Sequence, residues 1–222
     1  MINVKDLLDQ KIKEEQETRK DRVSSGKWKP SSFGKCFRQQ YWIRAKEPES
    51  NPIDDRVKRV LRAGQLFHDF VQGLLTDYES EVLIETDDVK GYADIVIADE
   101  VIDIKSQHSG AFWHFQNDSK YPITVRKRND FLQASWYAIQ LGKKFVRLVY
   151  ISKDDLCIAE FVVSMNEIWR QQVDNELKAL RYFWDKKELP PAQPRAYMNN
   201  KGVSQDCKYC RFKDKCKEKE AK

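Results

Sequence analysis

The stretch GYADIVIADEVIDIKS, Gly91 to Ser106, decides how this chain is read. Apolar residues alternate with polar ones at a period of two, the signature of strands with one buried face. Ile95, Ile97, Ile102 and Ile104 project from one side of such a sheet, and Asp94, Asp103 and Lys105 from the other. A two-residue turn at Asp99-Glu100 pairs residues whose numbers sum to 199, although Asp-Glu is not a favoured hairpin turn. Asp94 then faces Lys105 and Val96 faces Asp103, which leaves the two aspartates diagonal neighbours with Cα atoms about 7–8 Å apart. One Mg²⁺, with oxygen ligands at about 2.0–2.1 Å, can bridge them.

Carboxylates side by side in a buried place repel and require a cation. Lys105 supplies one partner and a divalent metal a second. That combination suits phosphodiester hydrolysis, in which a metal activates water and a lysine orients it or stabilises developing negative charge. A surface hairpin with ordinary salt bridges is the plain alternative, and the neighbouring elements bear on the choice.

Upstream, Asn51-Pro52 reads as a helix start: Asn as N-cap, Pro at the first helical position, Asp54 and Asp55 near the positive end of the dipole. The helix is expected to run to about Tyr78, with Ile53, Val57, Val60, Leu61, Gly64, Phe67, His68, Val71 and Leu75 on one broad face. His68 on that stripe is either a core histidine or a nitrogen ligand. Strands are expected near 81–86, 91–98 and 101–106. Residues 107–129 show no clear periodicity and read as a long loop, functional or disordered. It carries Phe112, Trp113, His114, Phe115, Tyr121 and the run Arg126-Lys127-Arg128. Trp113 could stack on unpaired bases or pack the loop onto the domain, and His108 and His114 read as surface histidines or nucleic-acid contacts.

Asn129 caps a helix expected over 130–141, ending at Gly142 with Lys143 and Lys144 at its negative end. Gln133 and Tyr137, at i and i+4, share a face of it, and both can bond a phosphate or the lysine. Strands at 145–151 and 157–163 follow, with Cys157 as a core residue. Ser164 and Glu167 form a capping box for a helix to about Lys187. A weak stripe of Val4, Leu7, Leu8 and Ile12 marks a first helix, and a proline-containing connection at 190–194 precedes the tail. The order gives an α/β or α+β layer, helices covering a mixed sheet.

Cys207-x2-Cys210-x5-Cys216 and the distant Cys36 make a four-thiol set. A [4Fe–4S] cluster or a tetrahedral zinc fits it, and the single C-x2-C knuckle favours iron–sulfur. Three thiols in a lysine-rich tail have no core to fill. The 222 residues favour one domain: an N-terminal helical segment at 1–50 with the first cluster cysteine, a core at 51–187, and a cysteine-rich segment at 188–222. Hydrophobic content is 41%, charged content 34% and net charge +5, the balance of a charged, globular protein with a surface suited to polyanions around an acidic pocket. No apolar run approaches the roughly 18 residues of a membrane span, and the N-terminus lacks a signal-peptide core. The expected setting is cytoplasmic, where thiols stay reduced and bind metal.

Ser32-x3-Cys36-x-Arg38, Gly64-x3-His68, Gly91-x2-Asp94, Asp103-x-Lys105, Gln133-x3-Tyr137 and the terminal cysteines occur in an order that resembles the RecB/AddB-type branch of the PD-(D/E)XK nucleases. The small CRISPR-associated RecB-like exonucleases are the most similar, over about residues 31–216. The resemblance implies a restriction-endonuclease-like mixed sheet flanked by helices, with a Cys₄ cluster joining the N- and C-terminal segments. It implies a Mg²⁺- or Mn²⁺-dependent DNA exonuclease acting on single strands or DNA ends. In that reading His68, Asp94, Asp103 and the Ile104 carbonyl hold the metal, and Lys105 is the catalytic lysine. Gln133 and Tyr137 form an accessory motif, and Cys36, Cys207, Cys210 and Cys216 hold [4Fe–4S]. Where relatives carry Pro before the first Asp, this chain has Ala93. With no helicase motor in the chain, unwinding falls to a helicase, recombination or CRISPR partner. Two other classes compete: a non-catalytic DNA-binding or assembly module, and an iron–sulfur or zinc redox sensor. The intact Asp94, Asp103 and Lys105 argue against the first, and the second leaves the acidic hairpin unexplained.

Overall fold

The structure is a computed structural model and describes residues 3–18, 25–117, 122–192, 207 and 209–220. The helices are α1 (Val4–Thr18), α2 (Phe37–Arg44), α3 (Asp55–Leu74), α4 (Ser109–Asn117), α5 (Ile123–Arg126), α6 (Arg128–Gln140), α7 (Glu167–Asp185) and α8 (Lys213–Glu220), with a 3₁₀ turn at Pro30–Ser32. The strands are β1 (Glu79–Glu85), β2 (Lys90–Ile97), β3 (Glu100–Gln107), β4 (Phe145–Ser152) and β5 (Ile158–Ser164). They form one mixed sheet in the order β1-β2-β3-β4-β5, parallel at β3–β4 and antiparallel elsewhere. This is the helix-flanked mixed sheet that the element order implies.

The chain divides into two compact units. One comprises residues 1–28, 35–59 and 177–222, the other residues 29–34 and 60–176. The second holds the sheet. Ile95, Ile104, Val149 and Ile151 form a buried cluster against which Phe67 and Val71 of α3 pack, with Ile97 and Ile102 beside them. The expected apolar face of α3 is only partly used, since Val60 and Leu61 on it are exposed. On the opposite face α6 packs on β3, β4 and the 3₁₀ turn. Phe131, Leu132, Ala134, Trp136 and Ala138 are fully buried. Burial of each large apolar side chain among them contributes about 1.5–3 kcal/mol. Phe33 meets Trp136 edge-on at 6.3 Å, and Trp169 lies 5.6 Å from Phe131.

The hairpin register differs from expectation. Ile95 pairs with Ile102, Val96 with Val101 and Ile97 with Glu100, so the turn is Ala98-Asp99 and paired numbers sum to 197. Neighbouring chain sets this turn. The Asp99 carbonyl accepts from the Lys144 and Phe145 N–H groups, Lys144 Nζ reaches Asp99 Oδ2 at 3.0 Å, and Lys143 Nζ reaches the Ala98 carbonyl at 2.8 Å. A slip of two residues keeps every side chain on its face, so the predicted faces stand.

Other boundaries shift for similar reasons. Asp54, not Asn51, caps α3 by accepting the Val57 N–H at 2.7 Å, and α3 ends at Leu74 rather than Tyr78. Residues 107–129 are not one loop: α4 and α5 occupy most of it, and the described Phe112 is fully buried. His108 Nδ1 accepts the Ala111 N–H at the start of α4. Tyr121 and the side chains of His114 and Phe115 lie outside the described residues, as do positions 193–194 of the connection. α6 begins at Arg128, so Asn129 is inside it rather than capping it. Asn166 caps α7 through the Trp169 N–H, replacing the Ser164–Glu167 box, and α7 stops at Asp185. Cys157 precedes β5, half-buried, rather than filling the core.

In the first unit, Arg44 lies between the rings of Trp28 and Trp184, at 4.4 and 4.3 Å from their centroids, and Tyr41 adds to the same aromatic group. Trp42 packs on Phe212. Asn51 clasps the start of α8, accepting the Asp214 N–H at 2.9 Å and donating to its carboxylate at 2.7 Å.

Gly91 marks a close approach in the second unit. A Cβ there would stand 2.6 Å from Tyr137 Oη and 2.9 Å from Pro30. Gly91→Ala is therefore expected to cost about 1–3 kcal/mol in urea denaturation. Gly73→Ala, with no atom within 4 Å of the new methyl, is expected to be neutral or to gain up to about 1 kcal/mol.

Candidate active site

β2 and β3 carry the acidic residues, and the ladder ends where they begin. Past the Ile95–Ile102 pair, the Ile104 N–H donates to Asp94 Oδ2 at 2.7 Å, so the Asp94 carboxylate replaces a strand carbonyl. The other Asp94 oxygen, Oδ1, lies 3.3 Å from His68 Nδ1. Burial opposes charge on His68, but the Asp94 carboxylate outweighs it and raises the pKa.

Asp103 is 1% exposed. Its Oδ1 has no hydrogen-bond partner, and its Oδ2 is held by Lys105 Nζ at 2.6 Å as an ion pair. Burial pushes the Asp103 carboxyl up to about 7, against the pull of Lys105 and with the push of Asp94. For Lys105 the balance is reversed. Burial disfavours its charge, but Asp103, Asp130 and Asp94 together hold its pKa above the ordinary lysine value. Lys105 therefore stays an ammonium, and it donates to Gln133 Oε1 at 3.3 Å.

Gln133 and Tyr137 reach the site from α6. Burial, then Asp103 and Asp94, raise the Tyr137 pKa, so the phenol stays neutral; it hydrogen-bonds with Gln133 and with the Tyr92 backbone. The structure thus gathers His68, Asp94, Asp103, Ile104, Lys105, Gln133 and Tyr137 in one place. It also places there Asp130, which the sequence reading did not single out, and Lys127, which that reading gave only as part of a basic run. Asp130 accepts from Tyr150 Oη at 2.7 Å, and Lys127 Nζ lies 3.4 Å from Gln107 Oε1. The i, i+3, i+7 spacing of Asp130, Gln133 and Tyr137 on one helix face was the available signal for Asp130.

The four cysteines all belong to the first unit. Cys36 stands at the N-cap of α2. Burial raises the Cys210 thiol pKa, a hydrogen bond from the Phe212 N–H opposes this, and the proximity of Cys36, Cys207 and Cys216 raises it further. The thiols of Cys36, Cys207 and Cys216 are thus each within electrostatic reach of Cys210, and none of the four is in a disulfide. Arg38 Nη1 donates to Cys216 Sγ at 3.4 Å, and its Nε donates to the Pro190 carbonyl at 2.7 Å. Among the described residues no three His, Cys, Asp or Glu side chains form a ready-made metal cage. At the acidic site the reason is visible: His68 leans on Asp94 while Lys105 leans on Asp103.

No family model matches the sequence, and no curated protein matches it. Solved structures do share its fold. The crystal structure of SSO0001 superposes with a TM-score of 0.60 at 20% identity, covering 97% of this chain and 96% of that one. An alkaline exonuclease from Laribacter hongkongensis gives 0.53 at 10% identity over 75% of this chain and 91% of that one. A phage-related exonuclease from Haemophilus somnus gives 0.50 at 11% identity over 68% and 80%. The mixed sheet with its flanking helices is therefore a fold found in exonucleases. No described helix is long and apolar enough to cross a membrane.

The buried carboxyl gives a pH signature. In metal-free protein Asp103 takes up a proton on folding between its ordinary 3.8 and about 7. Its contribution therefore makes the fold less stable as pH rises through that window. Asp103→Asn, neutral throughout, should gain stability relative to the parent from pH 4 to 7 in urea titrations with EDTA. A stability difference independent of pH would show an ordinary carboxylate.

Proposed function

We propose that this protein is a metal-dependent DNA exonuclease that hydrolyses phosphodiester bonds at DNA ends or in single strands, as the PD-(D/E)XK resemblance implies. The observation that carries this reading is Asp103. Its carboxylate is buried beside that of Asp94, with Oδ2 against the Lys105 ammonium at 2.6 Å and Oδ1 without a hydrogen-bond partner. A simple ion pair needs only one carboxylate beside the lysine, whereas two carboxylates so placed suit a divalent cation, which would take the place of the proton on Asp103. Occurrence of the same fold in two exonucleases supports the reading.

Asp94 and Asp103 would hold Mg²⁺ or Mn²⁺, with His68 and the Ile104 carbonyl as further ligands. Bound there, the ion supplies Lewis acidity toward the phosphate and lowers the pKa of a water. Lys105, being charged, cannot serve as a general base; it stabilises negative charge developing on the phosphate oxygens. Gln133 fixes the direction of the Lys105 ammonium, and the neutral Tyr137 hydroxyl keeps Gln133 and the Gly91–Tyr92 backbone in register with it.

The chemistry of the thiol set fits a [4Fe–4S] cluster, with zinc as the alternative occupant. Cys36, Cys207, Cys210 and Cys216 would hold it as a staple between the N-terminal segment and the tail. The Arg38 and Phe212 N–H groups on the sulfurs of Cys216 and Cys210 suit the negative charge of ligated thiolates. DNA is the partner this reading requires; a helicase, recombination or CRISPR protein would supply unwinding. A charged surface around reduced thiols agrees with a cytoplasmic setting.

The test is degradation of end-labelled single- and double-stranded DNA by anaerobically purified protein with Mn²⁺, Mg²⁺ or EDTA. Metal-dependent loss of label is expected, with Lys105→Ala lowering the rate by at least about 100-fold. Equal cutting by Lys105→Ala would remove the active-site assignment. For the thiols, absorbance near 400 nm with about four irons per chain is expected, and Cys210→Ala should abolish both.

A further inference from the structure

The face of β3 that carries Asp103 and Lys105 continues to Gln107, the next residue pointing the same way. Successive same-face positions lie about 6.6 Å apart along a strand, close to the step between neighbouring phosphates of a nucleic-acid chain. At the Gln107 position the structure supplies a second cation. Lys127, in the joint between α5 and α6, places Nζ 3.4 Å from Gln107 Oε1 and 5.2 Å from the centre of the Tyr150 ring. Tyr150 is the β4 register partner of Lys105, so Lys127 stands on the same side of the sheet as Lys105, one step farther along it. The nearby carboxylate of Asp130 is engaged by Tyr150 Oη at 2.7 Å. Gln107 Nε2 is a buried donor with no hydrogen-bond partner.

We propose that Lys127, with the amide of Gln107, forms a phosphate subsite that holds the DNA phosphodiester adjacent to the scissile one. This rests on the nuclease reading above and extends it to a substrate-positioning residue. The subsite offers the Lys127 ammonium, oriented by Gln107 Oε1, to a singly charged phosphate, a charge-assisted pair. Burial lowers the pKa of Lys127, with Arg126 adding to that effect and Asp130 opposing it; an incoming phosphate would restore the favoured charge. The function of such a site is to set the register of the strand, so that the phosphate beside Lys105 is the one presented to Asp94 and Asp103.

The experiment pairs Lys127→Met with oligonucleotides in which one internal phosphate is replaced by an uncharged methylphosphonate. The replaced linkage lies on the 5′ or the 3′ side of the first scissile bond. In the parent protein, neutralising one of these two linkages is expected to raise KM about tenfold, with kcat little changed. In Lys127→Met the KM on normal DNA should already be raised about tenfold, and that methylphosphonate should change it no further. Lys127→Arg should restore sensitivity. The slope of log Kd against log salt for single strands, read in Ca²⁺, should fall by about 0.7 in Lys127→Met. Unfolding curves for each variant separate these effects from loss of fold, and Gln107→Ala gives a second, smaller lesion at the same place. If Lys127→Met keeps the full methylphosphonate penalty and the full salt slope, the subsite is refuted while the nuclease reading stands. If the parent protein neither binds nor cuts DNA, the nuclease reading fails, and the subsite with it.

Discussion

A buried carboxylate is among the costliest groups a fold can contain, and Asp103 is such a group, with one oxygen unpartnered and the other held only by Lys105. Much around it compensates. Lys105 stands two residues along the same strand face, and Asp130 and Asp94 help keep that lysine charged. The α6 helix, with its apolar residues filling the space between sheet, 3₁₀ turn and α7, brings Gln133 and Tyr137 to the lysine and to the Tyr92 backbone. Gly91 has no side chain because Tyr137 and Pro30 occupy the space one would take. The active-site reading follows from this: the protein maintains two opposed carboxylates and one permanent cation, a set whose charge is balanced by one divalent ion and one phosphate.

The hairpin shows what the sequence made legible and what it did not. A period of two sorts Asp94, Asp103 and Lys105 from the four isoleucines, and no register that keeps those faces disturbs the sorting. The same property hides the register itself, because a slip of two residues leaves the pattern intact. What selects the Ala98-Asp99 turn is the chain around Lys143, Lys144 and Phe145, some 45 residues away. The caps follow the same rule. Asn51 has the chemistry of an N-cap and does accept a helix N–H, but it serves α8 rather than the helix that follows it, a long-range choice invisible to local reading. Residues 107–129 looked irregular because α4 and α5 are short and share no single stripe. Lys127 was legible only as part of a basic run in a supposed loop, and Asp130 and Tyr150 only as members of a helix start and a strand; the sheet register brings them to Lys105.

The two compact units separate two kinds of chemistry. The unit that contains the sheet carries every residue assigned to phosphodiester hydrolysis. The other gathers the thiols with an aromatic and arginine framework, in which Arg44 sits between two tryptophans and Arg38 reaches both Pro190 and Cys216. Segments distant in sequence are thus already tied by protein contacts where a metal staple is proposed.

The central claim is that Asp103 is a carboxylate prepared for a cation. Carboxyl ¹³C resonances of the protein, labelled at aspartate and assigned by Asp103→Asn, measure its titration directly. The account requires a midpoint well above the ordinary aspartate value without metal, because burial disfavours the charged form, moving down on addition of diamagnetic Mg²⁺ or Ca²⁺. A midpoint near 4 that divalent ions leave unmoved would contradict it.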